Sequence, residues 1–310
     1  MREYAEKTRE MFGTEIYKKY LVFMVVFEVI NANPNGDPLC GNMPRTNLFG
    51  EGVMSTECIR RKLRNVLQEL GYDIMMIADD RLDDDELESV FERVMQVEEI
   101  AEELKKKKID KRKIRDLLCS KYTDVAFYGV VPGFKQCKSD FGIKGACTVE
   151  QATSIGPVDV VGTQITKSFR TEPNDGKKEA SSMGMRYSVP YGLYTFSGSI
   201  TKEEAEKNHI TEDRVEGLKM ALKNLFYHDA TAARPDGSMN VMRVYFWEQD
   251  GPVKYDKRTL KDSIRFEIKN EDGAIEKKDD LRIVERVFDD LKPEVYHQPC
   301  DRIETVQDEV

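Results

Sequence analysis

The eleven residues from Tyr20 to Ile30, Tyr-Leu-Val-Phe-Met-Val-Val-Phe-Glu-Val-Ile, hold a single charge and are rich in β-branched and aromatic side chains. The run is too short to span a bilayer and reads as a buried strand, round which the rest of the chain is organised. The residues after Ile30 cannot continue it. Asn31-Ala-Asn-Pro-Asn-Gly-Asp-Pro puts Asn-Pro, Asn-Gly and Asp-Pro in succession, and each forces a tight turn. The Gly/Pro/Asn loop runs on to Gly52. Beyond it Ile59, Leu63, Val66, Leu67 and Leu70 recur at helical spacing as one apolar stripe. Ser55 or Thr56 is the N-cap and Gly71 the C-terminal stop. Arg60, Arg61, Lys62 and Arg64 fall on the flanks and outer side of this helix, with Arg60 and Arg64 one turn apart and pointing the same way.

Helix N-termini and clustered cations both favour phosphate, whereas a basic helix by itself is more often a solvated face. Arg45 after Pro44, and glycines that permit close backbone approach, turn this stretch toward phosphate or nucleic-acid contact. The net charge of −9 speaks against that at first sight. It is unevenly spread. Residues 79–103 carry twelve acids against Arg81 and Arg93, and the remainder of the chain is close to neutral. Residues 45–64 carry five cations against Glu51 and Glu57, so whole-chain charge says little about one face.

The 310 residues allow one large domain or two, and 40% hydrophobic content suffices for a core. The charged N-terminus lacks the apolar region of a signal peptide, and no run approaches a membrane span; the expectation is a cytoplasmic protein with no membrane partner. The six cysteines are scattered without Cys-x-x-Cys spacing and the three histidines stand far apart, which argues for reduced thiols and against a structural zinc site. No cofactor or metal is expected.

Residues 1–19 read as a short helix or partly mobile arm, and 79–121 as two helices joined near Lys108. Residues 122–129 read as a short strand ending at Gly129. Val160 to Phe169 and Met183 to Tyr194 read as the arms of a long hairpin with a turn-forming tip at 171–182. Thr211 caps a helix with Val215, Leu218, Leu222 and Leu225 inside. Val241 to Trp247 and Ile264 to Ile268 are strands, and 280–291 a short helix. The adjacent pair His228-Asp229 reads as structural rather than as a general base. The order of strands and helices is βαββαβ with two large insertions, an α+β, RRM-like (ferredoxin-like) core. In segments, that is an arm (1–19), β-loop-α (20–70), a helical insertion (72–121), a hairpin (149–192) and closing elements (193–292). The aromatic-rich RNP segment of an RRM is absent, so RNA contact falls to loops, the basic helix and the hairpin.

Several of these stretches resemble the backbone subunit of CRISPR surveillance complexes in the RAMP superfamily, most closely the Cas seven group of subtype I-C (Csd-two-like). The resemblance rests on Asn33-Pro-Asn-Gly-Asp-Pro, Gly41-Asn42-x-Pro44-Arg45 and the Cys58-Ile-x-Arg-Lys-x-Arg-Asn helix. Gly142-Ile-Lys-Gly145, Ser182-Met-Gly-Met-Arg-Tyr-Ser-Val-Pro-Tyr-Gly-Leu-Tyr and Phe226-Tyr-His-Asp-x-x-x-Ala-Arg234 add to it. It spans roughly residues 20–250, with Asn47 standing where the family commonly has an acid. It implies a non-catalytic subunit of which several copies line a CRISPR guide RNA and present it to a target DNA strand, beside Cas five-type, Cas eight-type and small subunits. Asn33, Asn35, Arg45, Ser55, Arg60, Arg61, Lys62, Arg64, Lys144 and Arg234 are the implied RNA contacts. The hairpin becomes a thumb, with Lys167, Arg170 and Arg186 for phosphate and Ile155, Val158 or Met183 as a wedge between bases. Relatives in type III complexes cut RNA with an aspartate after the first strand. Asp37 is the residue at that place, in a context where turn chemistry is the plainer reading.

Overall fold

The computed structural model describes residues 6–7, 9–11, 13–82, 87, 89–106, 109–131, 142–166, 183–271, 273, 275–299, 301 and 303–308. The apolar run is β1 (Tyr20–Ala32). It is followed by β2 (Gly36–Asp37), β3 (Met43–Pro44), β4 (Glu51–Met54) and α1 (Thr56–Glu69). Three further helices, α2 (Val90–Met95), α3 (Glu98–Leu104) and α4 (Lys111–Lys121), lead to α5 (Thr123–Tyr128). Then come β5 (Gly129–Val130), β6 (Ile143–Lys144), β7 (Cys147–Val149), β8 (Ala152–Pro157), β9 (Val161–Thr166) and β10 (Met183–Ile200). The chain closes with α6 (Lys202–Lys207), α7 (Glu212–Lys223), β11 (Met239–Gln249), α8 (Lys257–Asp262), β12 (Ile264–Ile268), β13 (Leu281–Arg286), β14 (Glu294–His297) and β15 (Glu304–Asp308).

β1 lies between β10 and β11, antiparallel to both, in a large sheet of order β14-β11-β1-β10-β8-β4. Period-two alternation sends Leu21, Phe23, Val25, Phe27 and Val29 to one face, where α1, α5 and α7 cover them. Val22, Met24 and Val26 point to the other face, against Trp247, Leu260, Leu281 and Ile283. The second face is covered by a C-terminal module: α8 and a three-stranded sheet of order β12-β13-β15. On the first face Phe27 stacks on Tyr194 at 5.3 Å and meets Phe226 at 5.2 Å. The fold is thus mixed α+β with a large antiparallel sheet. Among the described residues no helix is long and apolar enough to cross a membrane.

The helix after the loop forms as its stripe predicts. Ser55 is the cap, its hydroxyl accepting from the Cys58 amide, and Gly71 follows with a left-handed φ of 84°. The arm is docked at its C-terminal end. Tyr17 is fully buried, and its amide donates to the Ile210 carbonyl at 2.9 Å. Three expectations fail. Among its described residues the insertion holds three α-helices rather than two, because the chain is extended at Val97 between α2 and α3. Residues 123–128 are helical rather than a strand, despite their β-branched and aromatic content. The reason is tertiary: all six are buried, and the Asp124 carboxylate takes the Met75 and Met76 amides at 2.8 and 3.2 Å. Residues 281–286 are a strand rather than a helix, because Leu281 and Ile283 face the second core while β12 and β15 pair on either side.

Two outcomes test this architecture. Phe27→Ala empties the junction of three rings and should cost about 3–5 kcal/mol in chemical denaturation. Glu150 joins the sheet to α8 by accepting from Ser197, Lys257 and Lys261. Burial pushes its carboxyl up, and these three partners more than reverse that, to about 2 from an ordinary 4.5. Its folded pKa lies below its unfolded one. Its contribution is therefore full above about pH 4.5 and lost as pH falls through about 2. Glu150→Gln should flatten that limb of a stability–pH curve.

Candidate nucleic-acid interface

The turn residues of the loop are spent on holding the loop. Asn33 is buried; its amide nitrogen donates to the Asn42 carbonyl at 2.7 Å, and its backbone N–H donates to Ala233. Asn35 accepts the Ser55 amide at 2.8 Å through Oδ1 and the Arg45 amide through its carbonyl. Loop, helix N-terminus and the 229–234 segment are thereby tied into one junction. Asp37 caps the turn at Pro38–Cys40 through the Leu39 amide at 3.0 Å and pairs with Arg45 at 3.3 Å. It does the turn chemistry its context predicts. Arg45 remains partly exposed beside it.

The basic helix differs from its sequence reading. Lys62, expected on the outer side, is buried and paired with Asp229, which also accepts from Arg234 at 3.2 Å. The reason is that α7 and the segment after it cover that flank of α1. Burial pulls the Lys62 ammonium below its ordinary pKa, with Asp229 opposing. Arg61 donates to the Met76 carbonyl, and its pKa is likewise lowered, first by burial and then by Arg64. Arg64 donates to Asp124 at 3.0 Å. Arg60 and Arg64 do point the same way, with their guanidiniums 5.6 and 5.0 Å from the Tyr128 ring centre. The Arg60 side chain has no hydrogen-bond partner among the described residues, and its Nε is buried without one. The cation excess along 45–64 is therefore largely neutralised inside the chain, leaving Arg45 and Arg60 least committed. Of the His228-Asp229 pair, Asp229 is structural as expected, while His228 is exposed, 3.2 Å from Glu69.

Lys144 sits apart from this junction, paired with Glu204 at 2.6 Å. Arg186 lies on the hairpin opposite Thr163, partly exposed and without a partner among the described residues. Lys167, Arg170 and the hairpin tip lie outside the described residues. Ile155 and Val158 are half-buried, packed against the second and first cores respectively, below the free part of the hairpin. Met183 pairs with Thr166 across the two arms. Among the described hairpin residues, Val161, Ile165 and Met185 are exposed apolar side chains, at 47%, 50% and 52% exposure. Val161 and Ile165 share one hairpin face with Arg186; Met185 shares the other with Tyr187. They lie on both faces of the hairpin, so alternation along the arm does not single them out. The loop adds Leu39, Leu48 and Phe49, exposed at its two turns. Tyr128 as a platform for two arginines had no local signal.

The described surface thus offers a turn-rich loop, the partly exposed Arg45 and Arg60 at its junction with the helix, and a hairpin with apolar and cationic positions. The family model for "CRISPR-associated protein Cas7" matches residues 19–285, and the chain belongs to that family. Two solved structures are similar to it at 14% identity. One, titled "CRISPR RNA-guided surveillance complex, pre-nicking", has a TM-score of 0.43 over 76% of this chain and 80% of its own. The other, "CRISPR RNA-guided surveillance complex", has a TM-score of 0.42 over 76% and 72%. No curated protein matches.

Asp229→Ala should cost about 3–5 kcal/mol in denaturant titration, because it strands a buried ammonium. The double change Lys62→Met with Asp229→Leu should recover most of that loss.

Proposed function

We propose that this protein is the RNA-binding backbone subunit of a CRISPR surveillance complex of subtype I-C. It acts in the cytoplasm and does not cut RNA. Copies line the guide, and the guide pairs with the target DNA strand. Cas five-type, Cas eight-type and small subunits complete the assembly. The observation that carries this is membership of the Cas7 family over residues 19–285. The sheet supports an RRM-like core: strands 239–249, 20–32, 183–200 and 152–157 lie side by side in that order, the order 4-1-3-2 of a βαββαβ unit.

A guide's spacer varies, so its grip must be on phosphate and ribose, while base pairing reads the target. Arg45 and Arg60 serve that grip at the loop–helix junction, and Arg186 serves it on the hairpin. The exposed Val161, Ile165 and Met185 supply the apolar wedge. Asp37, committed to a turn amide and to Arg45, serves the loop's shape rather than RNA cleavage.

Protein purified with its natural companions should carry RNA, read as a raised 260/280 nm absorbance ratio. Arg45→Ala and Arg60→Ala should each weaken binding alike for unrelated RNA sequences. Each should also reduce the salt slope by about 0.7 unit, the value for one phosphate contact on a single strand. A loss confined to one sequence, or an unchanged slope for both variants, contradicts the phosphate role.

A further inference from the structure

We propose that the C-terminal module, residues 257–308, is a brace that sets the direction of the hairpin, with Gly156, Ile268 and Ile275 as positioning residues. The proposal rests on the reading of the hairpin as an RNA-contacting thumb.

Its strand β14 pairs with β11 of the large sheet, and side chains anchor the rest of the module at two further places. Arg243 of β11, buried on the second face, donates to Asp301, to Thr305 Oγ1 at 2.6 Å and to the Ile303 carbonyl at 2.6 Å. Beside it Tyr245 donates to Glu285 of β13 at 2.7 Å. At the other end Lys257 and Lys261 of α8 reach Glu150, the corner between β7 and β8. β14 and β15 lie beyond residue 285, where the family match ends.

Between these anchors the module meets the hairpin's root. β8 leaves the large sheet at Gly156–Pro157. A Cβ at Gly156 would stand 3.2 Å from Ile268 Cδ1, 3.4 Å from the Gly273 carbonyl oxygen and 3.7 Å from Ile275 Cδ1. A side chain at this position would press on the Ile268 tip and fill the contact with Gly273 and Ile275, so the larger the residue, the further the end of β12 is pushed away. Next to this contact a cavity of about 570 Å³ is lined by Pro157, Val158, Pro190 and Tyr191 on the root side and by Gly273, Ile275 and Glu276 on the module side. On the opposite flank Val158 donates its amide to the Gly50 carbonyl at 3.0 Å. The root is thus pinned from the loop side and bears on the module at Gly156, with open space beside the bearing. A rigid lever held so takes its tilt from that bearing. The returning arm is one strand of 18 residues, continuous from the hairpin to the centre of the sheet, so a change of tilt at the root moves the exposed hairpin as a unit.

The test uses the full chain with Gly156→Val, which crowds the bearing, and separately Ile268→Ala with Ile275→Ala, which empties it. Circular dichroism selects folded variants, and the second keeps the test alive if the first does not fold. Amide hydrogen exchange of 161–166 and 183–188, without RNA, should quicken by about tenfold. On a short RNA that holds one copy, affinity should stay within about twofold of the parent. On a long RNA the parent should give a regular nuclease-protection ladder, and the variants a blurred or re-spaced one. A folded variant with parental hairpin exchange overturns the brace. Altered exchange with an unchanged ladder overturns its positioning role, since a merely structural contact would not move the ladder. A parent protein that gives no ladder refutes the thumb reading instead, and exchange alone then decides whether the module braces the hairpin.

Discussion

The structure depends on β1 being buried on both faces and paired along both edges. A strand so placed removes its apolar side chains from water on two sides at once, at roughly 25 cal/mol per Å² of apolar surface. It also requires two separate covers. The helices α1, α5 and α7 form one, and the C-terminal module forms the other. Because β10 is hydrogen-bonded to β1 for most of its length and then runs on into the hairpin, the same strand that completes the core carries the protruding element. The projecting hairpin is therefore an extension of the most stable part of the molecule.

Charge is used differently from what a count along the chain implies. Lys62 and Asp229 are 167 residues apart in sequence and form a buried pair, with Arg234 on the same carboxylate. A second link, Arg64 to Asp124, holds α1 to α5. Such pairs are expensive to desolvate and serve to fix one arrangement of the elements they join. Their effect is to align the N-terminus of α1 with the loop and the 229–234 segment. The cations that remain available are few, and they lie where the loop meets the helix.

The failures of sequence reasoning share a cause. Residues 123–128 look like a strand when judged by their β-branched and aromatic side chains. They become a helix because Asp124 is needed beneath the Met75 and Met76 amides and because every side chain in the segment has a buried contact to satisfy. Residues 281–286 read as the start of a helix, and the neighbouring strands β12 and β15 pair them into a strand instead. Ile155 and Val158 look free in a hairpin drawn from sequence. They are half-buried because the hairpin's root sinks between the two cores.

Local patterns determined β1, α1, α7, β11 and the hairpin arms, together with the caps and turns that bound them. These need only the periods of 2 and 3.6 and side chains acting on their own backbone, so neighbours in sequence suffice. The turn role of Asp37 and the parallel aim of Arg60 and Arg64 were legible for the same reason. Which cations stay available, which apolar side chains of the hairpin stay exposed, and what covers the second face of the sheet were decided by the tertiary structure alone. Each depends on partners brought together from far along the chain, and burial by a distant segment leaves no mark in the residues it covers.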